Sequence, residues 1–137
     1  MHQENPLEEI RERLREHPQL RVTDDGNSIT VHPASNKGFE VWFSLDDEGY
    51  TVGYDGWHEH FEKTDVDSAL GCFGFGLSEK CRLKVIQRSG KPHRWTVEAF
   101  EKGGWVAYST TGLLLVPFWR KKEVRYLSNK GVSLNNA

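Results

Sequence analysis

His58 and His60 stand two residues apart in GYTVGYDGWHEHF, residues 49–61, the densest run of reactive and aromatic side chains in this chain of 137 residues. On an extended strand that spacing projects both imidazoles from one face, with Glu62 next on the same side. Two imidazoles and a carboxylate can ligate zinc or another divalent metal. Asp55, Glu59, Asp65 and, from farther along the chain, His93 are the residues available to complete such a site. No further His or Cys pair at diagnostic spacing accompanies them. The same residues offer metal-free chemistry, because His58 or His60 beside Asp55 can exchange protons near neutral pH. Yet no nucleophile elbow or triad is visible, and a polar strand rim with solvated histidines explains the pattern as well. The reading leans against an enzyme and against a bound cofactor, with a metal or histidine site on Asp55, His58, His60 and Glu62 as the alternative.

A second constellation is basic. Arg82, Lys84 and Arg88 share one face of an expected strand, with Arg94 across a hairpin. Arg120, Lys121 and Lys122 form a further cluster with Arg125, beside Trp119 and Tyr126. Such groups neutralise phosphates, and exposed aromatic rings stack on bases, so nucleic-acid binding is one expectation. The ordinary solvated face of an antiparallel sheet has the same period of two. Trp42 falls between Glu40 and Ser44 on the polar side of its strand, and with Tyr54 and Trp57 it is a candidate contact residue. Gly71–Gly76 lacks the spacing of a phosphate-binding loop. Cys72 and Cys81 are too few for a disulfide framework, and free thiols are expected.

Charge is divided along the chain. Residues 21–70 hold 11 acids and 3 bases, and residues 71–137 hold 4 acids and 12 bases, so the formal net charge of −2 conceals two opposed halves. That division suits a protein that steers an oppositely charged partner or pairs with itself.

The elements that must position these groups are legible in outline. Asn5-Pro6-Leu7-Glu8 is a helix start, and Leu7, Ile10 and Leu14 make a narrow apolar stripe over 6–16. Pro18 ends it. Strands follow at 21–23 and 28–32, then a hairpin of 39–46 with 49–55. Thr64 caps a second helix in which Val66, Ala69, Leu70, Phe73 and Leu77 recur at helical spacing. Gly71, Gly74 and Gly76 each cost that helix about 1 kcal/mol relative to Ala, which suggests close packing on the sheet or an early end to the helix. Alternation around Cys81, Leu83 and Val85, around Trp95, Val97 and Ala99, and at 105–109, 113–116 and 123–127 adds five strands, with Thr110–Gly112 as a turn. The expected fold is α+β: an antiparallel sheet carrying two helices, in one domain over 1–127, with a frayed tail at 128–137. An echo between Tyr50–Tyr54 and Trp105–Tyr108 raises an internal duplication of an αβββ unit, with both helices on one continuous sheet.

The longest apolar run, at 113–116, is too short to cross a bilayer, and the acidic N-terminus has no apolar signal core. No membrane partner is expected, and a cytoplasmic location is. The functional expectation is a small binding or interaction protein, with protein or itself as partner. The alternatives are the histidine or metal site and a nucleic-acid module.

Overall fold

Helix α1, Pro6–Arg15, begins where Asn5 Oδ1 accepts the backbone N–H of Leu7 at 3.0 Å. Its stripe of Leu7, Ile10 and Leu14 is buried, as the 3.6-residue period requires. The computed structural model describes residues 5–113 and 116–129. After α1 come β1 (Arg21–Asp24), β2 (Ser28–His32), β3 (Val41–Asp46), β4 (Gly49–Tyr54) and β5 (Trp57–Glu62). A short 3₁₀ turn at Lys63–Asp65 leads into α2 (Val66–Gly76), followed by β6 (Cys81–Arg88), β7 (Lys91–Glu101), β8 (Gly104–Gly112) and β9 (Lys122–Ser128).

The expected α+β class holds, with antiparallel strands and two helices, but the strands form two sheets rather than one. β1 to β5 make a five-stranded meander in chain order. The second sheet runs β8-β7-β6-β9, so β9 returns to pair with β6. These connections differ, and the single continuous sheet that a duplication would build does not form. The inner faces follow from the period of two: Ile29, Val31, Val41, Phe43 and Val52 on the first sheet, and Cys81, Leu83, Val85, Val97 and Leu127 on the second, share one core with α1 and α2. Phe73 of α2 meets Phe43 of β3 edge to face, with ring centres 6.1 Å apart.

Helix α2 departs from expectation at its start. Thr64 lies in the 3₁₀ turn, and the helix starts at Val66 with no side-chain cap. Of its glycines only Gly76 is closely packed, since a Cβ there would stand 2.3 Å from the Tyr54 ring. A Cβ at Gly71 or Gly74 would meet nothing within 4 Å, so close packing does not account for them.

The C-terminal half also differs. Thr110–Gly112, expected as a turn, belongs to β8. Of the expected strand 113–116, Leu113 is exposed and Val116 lies in no strand, while 114 and 115 fall outside the described residues. The expected tail enters the fold at its start. Ser128 pairs with Arg82, and buried Asn129 joins three segments. Its side chain accepts Phe39 N–H at 3.0 Å and donates to Phe39 O at 3.0 Å and Gly76 O at 3.2 Å. Among the described residues no helix is long and apolar enough to cross a membrane.

The charge division coincides with the sheets. Residues 21–62, which span the first, hold nine acids and two bases; residues 81–128, which span the second, hold three acids and ten bases.

Candidate functional site

The strand pairing places the histidine run on the open side of the first sheet. His58 lies opposite Gly53, His60 opposite Thr51 and Glu62 opposite Gly49, all facing away from the helices. Thr51 Oγ1 is 3.4 Å from His60 Nδ1. Among the described residues no group of three or more His, Cys, Asp or Glu side chains is placed to hold a metal. His58, His60 and Glu62 therefore do not converge with Asp55, Glu59 or Asp65 into a ligand set. His93 is on the other sheet, in a bulge of β7, beside Arg88 and Arg94.

Asp55 serves the turn between β4 and β5. It adopts a left-handed backbone, φ 51°, and its Oδ1 accepts the N–H of Glu40 at 2.8 Å. Crowding by protein pushes its carboxyl above the ordinary range, and the nearby Glu40 carboxylate adds to this, against the pull of the Glu40 N–H. Tyr54 and Trp57, expected as contact residues, are core instead. Their rings stack with centres 4.7 Å apart, and the Tyr54 hydroxyl donates to Cys72 O. Trp42 is half-buried without a helix above it. Its indole lies flat over Gly53, where a Cβ would come within 2.0 Å of the ring, and its Nε1 points to Asp55 O at 3.4 Å.

The basic residues converge better. Alternation along β6 sets Arg82, Lys84, Ile86 and Arg88 on the outer face of the second sheet. The registers add Arg94, Thr96, Glu98 and Phe100 from β7, Trp105 from β8, and Val124, Tyr126 and Lys122 from β9. Neither helix packs on this face. Near one end of this face the Arg82 guanidinium lies between two rings, 4.5 Å from the Trp105 centre and 4.1 Å from that of Tyr126. Its Nε donates to Glu98 Oε1 at 2.6 Å. Cation–π contact on both sides and a charge-assisted bond hold the group in one orientation. Its two terminal nitrogens have no hydrogen-bond partner among the described residues. They border a shallow basin of about 510 Å³ that also takes in Lys80, whose Nζ is 5.6 Å from the Phe100 ring centre.

Arg88 and the 120–122 cluster divide in role. The Arg88 guanidinium donates to Phe118 O at 3.2 Å and to Arg120 O at 2.7 Å, so it pins the segment leading into β9. Arg120, Lys121 and Lys122 are exposed, and beside them Phe118 and Trp119 are 73% and 70% exposed. Cys72 and Cys81 are both free thiols. Burial pushes Cys72 up to about 11 and Cys81 higher still, which keeps both protonated.

No protein-family model, curated protein or solved structure matches this chain. Its own geometry therefore carries the reading. Glu98, Phe100 and Trp105 were not among the sequence candidates. The signal for Glu98 and Phe100 was present, because β7 alternates inward Val97 and Ala99 with outward Glu98 and Phe100. Trp105 required the Phe100–Trp105 pairing around the Lys102-Gly103 turn.

Proposed function

We propose that this protein is a binding module whose working surface is the outer face of the second sheet and whose partner is a protein presenting acidic side chains. The carrying observation is Arg82, set between Trp105 and Tyr126, its terminal nitrogens without a hydrogen-bond partner among the described residues. A guanidinium already fixed by neighbours loses little freedom on binding, and Arg, Trp and Tyr are the residues that anchor interfaces. Lys84 follows it on the same face, Arg94 and Lys122 extend the positive charge toward the other end of the sheet, and the acidic first sheet orients the molecule as it approaches. We place this module in the cytoplasm, where its two unpaired thiols persist.

A second reading is favoured by one observation: Phe118 and Trp119 stand open beside Arg120, Lys121 and Lys122, a combination that also suits single-stranded nucleic acid. One titration separates the two. Fluorescence anisotropy of a Glu-rich peptide and of a single-stranded oligonucleotide is followed against salt, with wild type, Arg82→Lys and a Lys84→Glu/Arg94→Glu pair. Peptide binding lost on charge reversal and weakened by Arg82→Lys supports the proposal. Oligonucleotide binding alone, with a steep salt slope, moves the assignment to nucleic acid. If neither ligand responds to these variants, the face is not the working surface.

A further inference from the structure

We propose that the cleft between the two sheets is a binding site for a small organic cation with an apolar or aromatic body. It is a shallow depression of about 600 Å³, open to solvent, with β5 and α2 on one side and β7 and β8 on the other. One end is closed by contacts between the sheets. Trp57 Nε1 donates to Ser109 Oγ at 3.0 Å, and Trp95 packs so tightly on Gly56 that a Cβ there would be 2.5 Å from its ring. The apolar surface it offers comes from the partly buried Phe61 and Phe75 and the exposed Tyr108 ring, over a sealed floor of Tyr54, Trp57, Val97 and Ala99.

The charge of the lining has one sign. Glu59 and Glu101 are its acidic side chains, and among the described residues no Lys, Arg or His lines it. Both carboxylates are exposed, and they flank the accessible rings of Phe61, Phe75 and Tyr108, so negative charge borders apolar surface. The Tyr108 hydroxyl donates to Glu101 and holds that carboxylate in place. Cys72, also in the lining, keeps its proton and adds no charge. An amine with an apolar body meets both features at once: its body covers the Phe61, Phe75 and Tyr108 surface, and its ammonium pairs with the carboxylates beside it. A neutral analogue gains only the first, and a carboxylate is repelled. The site lies away from the outer face around Arg82 and does not depend on what that face binds.

The probe is phenethylamine, compared with phenethyl alcohol and hydrocinnamate by two-dimensional NMR of the full chain. The reporters are the Trp57 indole N–H and the backbone amides of Glu101 and Ser109. The amine is expected to give saturable shifts at these groups, on the order of tenfold tighter than the alcohol, with the carboxylate silent. Glu59→Gln and Glu101→Gln, both at exposed positions and checked for folding in the same spectra, are each expected to bring the amine down toward the alcohol. Equal binding of amine and alcohol overturns the proposal, as do variants without effect. Shifts confined to other parts of the chain, or no saturable shift at the three reporters, overturn it too.

Discussion

At the scale of single residues, the glycines of α2 carry opposite consequences. Gly76 faces the Tyr54 ring, and a Cβ would approach it to 2.3 Å. Gly76→Ala must move a buried aromatic and is expected to cost about 1–3 kcal/mol. Gly74, with nothing within 4 Å, pays only the conformational cost of glycine in a helix. Gly74→Ala is expected to stabilise by about 0.5–1 kcal/mol. Urea denaturation of the two variants beside wild type should show midpoints moving in opposite directions. Equal shifts would mean that the Tyr54 contact is not as tight as it stands.

Arg82 and Glu98 form the other instructive pair. Glu98 is 9% exposed and bonded to a guanidinium that two rings enclose. Removing the cation strands a largely buried carboxylate. Arg82→Ala is expected to destabilise by about 1–3 kcal/mol, less than a fully buried pair because Arg82 remains partly solvated. Arg82→Ala combined with Glu98→Gln should recover much of that loss. A double-mutant cycle by thermal melting measures it, and purely additive losses would dismiss the pairing as a source of stability.

At the scale of elements, the bulge in β7 makes a pH-sensitive spot. His93 is the extra residue between Arg94, opposite Ile86, and Pro92, opposite Gln87. Its ring is covered, its Nε2 has no hydrogen-bond partner among the described residues, and Arg88 and Arg94 lie near it. Burial and these two cations hold its pKa below the usual value of about 6.5. The unfolded chain then binds the proton more readily than the folded one. The contribution to stability is complete above that value and declines as pH falls through the lower folded value. Between pH 7.5 and 5 the denaturation midpoint of wild type should fall more than that of His93→Gln. Parallel pH profiles would assign the dependence to the other histidines.

At the scale of the molecule, Asn129 binds together parts distant in sequence. It sits at the end of β9 and reaches the loop before β3 and the end of α2 through three hydrogen bonds. A buried backbone N–H and two carbonyls lose their partner when it is removed. Asn129→Ala is expected to cost about 2–4 kcal/mol, summing penalties of about 1–3 kcal/mol for an unsatisfied buried group. Hydrogen exchange should quicken at the Phe39 amide and at the C-terminal turn of α2. If only the residues after 129 respond, the joint is local.

The sequence by itself determined the elements and the charge plan. The α1 stripe of Leu7, Ile10 and Leu14, the alternation from Val41 to Leu45 and from Cys81 to Val85, and the opposed halves follow from period and composition, which are local properties. Tertiary structure decided which faces are covered. It sealed Tyr54 and Trp57 in the core and left His58 and His60 on an open face, without further ligands among the described residues. It also divided the strands into two sheets and drew Asn129 from an expected tail into the interior. Those outcomes depend on contacts between residues dozens of positions apart, such as Trp57 with Ser109 and Phe39 with Asn129. A local pattern shows that a strand has two unlike faces; only the packed molecule assigns one of them to water.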